Sequence, residues 1–173
     1  MIETASLRLV RFDARFLSDE YVSWLNDPAV VRFSQQRLSH HTIASCTAYM
    51  QSFEGTPNQF WAILRKDQNL HHIGNMNVYL DQNDRVADLG ILIGDRDSTA
   101  MGFGLEAWQG LVKHLLSTTD VRKISAGTLA LNQPMLAIMR KSGMLSDGVR
   151  QRHCLIEGQA VDVVHMALFR NQT

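Results

Sequence analysis

The chain has 173 residues, long enough for one domain (1–173) with a sizeable core, and its 45% apolar and 20% charged content is that of a soluble globular protein. Lys+Arg and Asp+Glu both number 17, so the net charge is zero and the balance suggests no nucleic-acid partner, although it leaves room for a local basic patch. The N-terminus MIETASLRLV lacks a basic and an apolar leader region, and no apolar run approaches the ~20 residues that span a bilayer. A cytoplasmic protein without a membrane partner is expected. Cys46 and Cys154 lie far apart with no C-x-x-C spacing, which reads as free thiols in a reducing compartment.

Leu7 to Val10 alternate with arginines and predict a half-buried strand. A helix is expected over Phe16 to Leu25, stopped by Asn26-Asp27-Pro28, with a further helical turn through Val30 to Phe33. Ser39 is the candidate cap of the next helix, whose stripe is Ile43, Cys46, Tyr49, Met50 and Phe53 before Gly55. The period then changes. Phe60–Leu64, Ile73–Leu80 and Arg85–Ile93 read as antiparallel strands joined by polar turns, with Asn75 and Asn77 on one face. An amphipathic helix follows over Leu105–Leu116, then a strand at Lys123–Leu129 that can lie parallel to 85–93. Asn132 caps a helix over Met135–Lys141, closed by Gly143, and a hairpin of Val149–Ile156 with Val161–Phe169 ends the chain. The sum is an α/β (α+β) fold: a mixed, mostly antiparallel sheet of about seven strands flanked by helices.

The centre of this arrangement is Val86–Leu116: a strand, a loop ending Gly102-Phe103-Gly104, and a helix. Helix N-termini carry unpaired N–H groups and positive potential, so such a unit can cradle a phosphate or pyrophosphate. Gly102-x-Gly104-x-x-Ala107 also satisfies the dinucleotide fingerprint. That fold wants a very short turn before the first glycine, whereas about eight residues separate Ile93 from Gly102 here.

The order of these pieces resembles the GNAT superfamily of acetyl-CoA-dependent N-acetyltransferases. Within it, the chain is similar to the branch holding RimJ/RimL ribosomal-protein acetyltransferases and bacterial amino-sugar acetyltransferases. The marks are Leu7-Arg8-Leu9, Trp24-Leu25-Asn26-Asp27-Pro28, Leu89-Gly90-Ile91-Leu92-Ile93-Gly94-Asp95, Gly102-Phe103-Gly104-Leu105-Glu106-Ala107, Asn132 and Lys141-Ser142-Gly143-Met144. The resemblance implies that backbone amides of Thr99-Ala100-Met101-Gly102-Phe103-Gly104 hold the CoA pyrophosphate, with Thr99 replacing the usual Gln/Arg. It also implies that the strand splays at Ile91, Leu92 and Ile93 to take the pantetheine arm, and that Asn132 contacts that arm; as an N-cap, Asn132 has a sufficient structural explanation too. Met139 stands where many relatives carry a tyrosine acid.

Acetyl transfer needs a neutral amine, a donor for the thioester oxygen and a held geometry. Asp88 is the candidate base, because a carboxylate in mid-strand needs a reason; a structural pair with Arg85 or Arg150 is the alternative. Asn75 and Asn77 could bond an acceptor or be an exposed strand face, and Arg37 could meet an acidic acceptor group such as a nucleotide phosphate. His40, His41, His71 and His72 lack metal-ligand spacing and read as turns or caps, so no metal is expected. Neither cysteine sits in an electropositive setting, so direct attack in a ternary complex is expected. The expected acceptor is a small-molecule amine, such as a nucleotide-linked amino sugar, and the protein a monomer or homodimer. The alternatives are a protein N-terminal acetyltransferase or a catalytically silent CoA-binding module.

Overall fold

The computed structural model describes residues 1–170. Alternation builds the sheet's first long strand: Leu7 and Leu9 of β2 (Leu7–Arg11) are buried, while Arg8, Val10 and Arg11 are not. Before it, β1 (Ile2–Glu3) adds a short antiparallel edge. Two residues carry no periodicity, so the count becomes eight strands rather than about seven. The others are β3 (Gln59–Arg65), β4 (His71–Asp81), β5 (Val86–Ile93), β6 (Lys123–Leu129), β7 (Leu145–Ile156) and β8 (Gln159–Phe169). Their order is β1-β2-β3-β4-β5-β6-β8-β7, antiparallel except for β5 beside β6. The parallel pair is the one joined by a helical crossover, as its connection requires.

The helices are α1 (Asp19–Asn26), α2 (Pro28–Val31), α3 (Ile43–Gln51), α4 (Phe103–Thr118) and α5 (Gln133–Lys141). Local capping moves several starts from their expected places. Ser18 accepts from the Tyr21 N–H, so α1 begins at Asp19 and Phe16 belongs to a separate 3-10 turn. Asp27 caps α2, with Pro28 at its first position. Thr42, not Ser39, caps α3, in a reciprocal box with Ser45.

One face of the sheet buries Ile63, Met76, Val78, Leu89, Ile124 and Met166 against Trp108, Leu111 and Leu115 of α4 and Leu136 and Met139 of α5. The opposite face carries an aromatic cluster under α1 and α3: Phe12, Tyr21, Trp24, Phe60, Tyr49 and Phe53. His72 lies inside it rather than in a solvated turn, its ring centroid 5.0 Å from that of Trp24 and 5.1 Å from that of Phe16. Both Nε2 neighbours, Gly74 O at 3.0 Å and Asn75 Oδ1 at 2.9 Å, are acceptors, so the neutral ring donates from Nε2. Burial lowers its pKa to about 4.

Candidate acetyl-CoA site

β5 and β6 pair only over Val86–Asp88 with Lys123–Ser125. Beyond that each follows its outer neighbour: β5 stays on β4 as far as Ile93, and β6 stays on β8 as far as Leu129. A wedge opens between them. The Gly94 N–H donates to Ile73 O on the β4 side. Counting back in twos, Leu92 and Gly90 turn their backbone groups to β4, and Leu89, Ile91 and Ile93 turn theirs into the wedge. An extended ligand can pair with those free groups as a strand would.

The wedge runs into a cavity of about 500 Å³ lined by Leu89–Ile93, Gly104, Gly127–Leu129, Asn132, Met135 and Ile138, and by Val30, Phe33 and Gln35 from the segment around α2. At its far end α4 begins on Gly102, whose φ of +86° suits glycine, and no side chain caps the helix. Its first-turn amides are therefore free. Ala100 is also left-handed, at φ +64°, so the loop turns twice before the helix. A Cβ on Gly104 would lie 3.2 Å from Ile138 Cδ1 and 3.7 Å from Ile93 Cγ1, inside the cavity. The missing side chain keeps open the space a pyrophosphate and its arm need. Free strand groups, an uncapped helix N-terminus and this clearance together fit CoA.

The expected cofactor residues divide by role. Ile91 and Ile93 offer backbone, while Leu92 lines the cavity with its backbone committed to β4. Gly102 is the left-handed residue on which α4 starts, and Gly104 lines the cavity. The Phe103 side chain is buried beneath the Arg65 guanidinium, 4.9 Å from its ring centroid, so only its backbone faces the loop. Met101 is largely exposed. Thr99 closes the preceding turn: its N–H donates to Arg96 O and its hydroxyl to Asp95 O. Asn132 lines the cavity and caps α5 through Met135, while its Nδ2 donates to Thr128 Oγ1.

On the acceptor face, Asp88 accepts from Ser125 Oγ at 2.8 Å rather than pairing with Arg85 or Arg150. Crowding on the strand face raises its carboxyl above the ordinary value, and the Ser125 bond partly offsets this. Asp88 also lines a second cavity with Asn58, Tyr79, Asp81, Gln82 and Asn83. Asn77 lies over Gly90, where a Cβ would meet its Oδ1 at 2.5 Å. Asn75 is 5% exposed and bonded to His72, so it is not on the acceptor surface. Arg37 donates to Ser34 O and Leu155 O, holding the segment after α2 to the β7 end.

Some residues escaped the sequence reading. Arg65 is 7% exposed, paired with Asp67 and in contact with Ser98 Oγ, and it anchors the loop leading to α4. Cys154 lines the same cavity, with the Gln35 carboxamide nitrogen 3.7 Å from its Sγ. Glu20, His71 and Asp95 bring possible ligand atoms within 4.8 Å of one another, a grouping of distant positions that no local spacing could announce.

A family model described as an acetyltransferase (GNAT) domain matches residues 7–145. The chain belongs to the GNAT acetyltransferases and is an acetyl-CoA-dependent N-acetyltransferase. It is 23% identical over 121 residues to "Uncharacterized N-acetyltransferase p20" of Bacillus licheniformis, covering 70% of this chain and 67% of that one. Its fold matches the ribosomal L7/L12 alpha-N-protein acetyltransferase RimL, in complex with CoA, at TM-score 0.84 and 15% identity over 97% of both chains. It also matches a Vibrio cholerae spermidine N-acetyltransferase, in complex with CoA and spermine, at TM-score 0.84 and 13% identity over 96% of both. Among the described residues no helix is long and apolar enough to cross a membrane.

Proposed function

We propose that the protein transfers the acetyl group of acetyl-CoA to the primary amine of a small polar molecule of the amino-sugar class, by direct attack in a ternary complex. The observation that carries this reading is the position of Asp88. It is the last paired residue before the wedge, with Leu89 lining the cofactor cavity and Asp88 itself lining the polar cavity beside it. An amine entering from that second cavity meets a carboxylate at the point where the thioester is reached. Asn58, Gln82 and Asn83 offer hydrogen bonds suited to hydroxyls, and Asp81 and Asp88 suit a cationic amine. Relatives that act on spermidine or on a ribosomal protein share the fold, so the acceptor class rests on this lining.

Asp88 takes the proton of the bound ammonium, and its raised pKa brings it closer to that task. The free N–H groups facing the wedge are placed to donate to the thioester oxygen as charge develops. Thiol release is measured with amino sugars, nucleotide-linked amino sugars, spermidine and a peptide N-terminus. Asp88→Asn is expected to lower kcat by about 100-fold or more while the Kd for acetyl-CoA holds. Unchanged kcat would remove the base assignment; preference for the peptide would remove the small-amine one.

A further inference from the structure

On the acceptor face, the two glycines that follow the last β5–β6 pair stand across the wedge from each other. Gly90 is covered from β4 by the Asn77 amide. Gly127 is covered from β8 by His165, its cross-strand partner. The imidazole edge that carries both nitrogens lies there: a Cβ on Gly127 would sit 2.9 Å from Cε1, 3.0 Å from Nδ1 and 3.6 Å from Nε2. Gly127 itself lines the cofactor cavity. His165 Nε2 is buried and has no hydrogen-bond partner. An orphaned buried nitrogen is costly unless a ligand completes it. The His165 ring acts electrostatically on the Asp88 carboxyl from the same face. Asn77, Asp88, Ser125 and His165 thus share the sheet face beside the point where β5 and β6 part.

The chemistry calls for a second proton carrier. A primary ammonium that becomes an amide loses two protons from nitrogen, one before attack and one as the C–S bond breaks. Asp88 can take the first. Met139 is fully buried on α5 and offers no acid for the sulfur. We propose that His165 is a catalytic residue: its Nε2 accepts the second amine proton and delivers it to the departing CoA sulfur.

This rests on the N-acetyl-transfer reading above. The amine attacks the thioester carbonyl carbon, and the new C–N bond leaves a positive nitrogen. Its N–H bond breaks toward His165 Nε2. The C–S bond breaks with its electron pair on sulfur, which receives the proton from the imidazolium. The proton held by Asp88 leaves through the open face. No oxidant or further reactant is needed.

The test uses the full chain, thiol release as readout and the acceptor panel named above. His165→Gln is expected to lower kcat about 30-fold or more with the Kd for acetyl-CoA unchanged. His165→Ala is expected to show the same loss and to regain at least about fivefold activity when free imidazole fills the vacated space over Gly127. A purely structural histidine would not respond to imidazole. His153→Gln, exposed on β7, is the control. A His165→Gln enzyme within about twofold of the parent overturns the proposal and leaves the acetyl-transfer reading standing. Should the parent bind acetyl-CoA yet release no thiol with any amine, the acceptor reading is what fails. The His165 Cε1–H signal in proton–carbon spectra, assigned by its loss in His165→Gln, then decides: movement on addition of acetyl-CoA supports His165 at the wedge, and a fixed signal overturns it.

Discussion

His72 shows at the scale of one residue how position overrides type. As one of two adjacent histidines beside a polar turn it reads as solvated, yet a β-bulge between Ile63 and Leu64 accompanies its place in the strand, with its ring among Phe12, Phe16, Tyr21 and Trp24. Its pKa falls from 6.5 to about 4, so between those values the unfolded chain binds more protons than the folded one. Stability is therefore full above the unfolded value and is lost as pH falls toward 4, by about 3 kcal/mol in all. Thermal unfolding across that range is expected to show this slope, and His72→Gln to flatten it. A slope unchanged in the variant would place the acid sensitivity elsewhere. Asp88 differs in that its mid-strand carboxylate was legible as an anomaly from the sequence, while its partner Ser125 was not, since that contact depends on the β5–β6 register.

Among the elements, α4 and its approach are fixed by a contact far away in sequence. Arg65 closes β3, holds Asp67 through two bonds of 2.8 Å, touches Ser98 Oγ at 3.3 Å and covers the Phe103 ring. It thereby ties a sheet end to the loop that positions the α4 amides. Arg65→Met keeps apolar bulk and removes those ties. The expected result is a loss of about 1–2 kcal/mol in stability and an acetyl-CoA affinity about fivefold weaker, read by thermal unfolding and calorimetry. Equal affinity would mean that the loop holds its shape without Arg65. Periodicity made α4, α5 and the long strands readable. The start of α3 shifted because Ser39, Thr42 and Ser45 all stand near it and only backbone geometry selected Thr42 as the cap; α1 starts late because Ser18 caps it and Phe16 belongs to the 3-10 turn before it.

In the whole molecule, the wedge is a property of sheet order. A single parallel pair sits among antiparallel ones, and each of its members is held by its outer neighbour. The sequence made the parallel pairing legible through the helical crossover, but where the pair parts depends on how far β4 and β8 hold its members, which is a matter of long-range register. We propose that the wedge, the uncapped start of α4 and the space beside Gly104 make one continuous acetyl-CoA site. Calorimetric titration of acetyl-CoA into the parent and into Gly104→Val tests that most directly, because a valine there projects between Ile93 and Ile138 into the cavity. The parent is expected to bind, and the variant, whose helix should still form, to bind at least about 100-fold more weakly. Equal affinity in a folded Gly104→Val protein would contradict it.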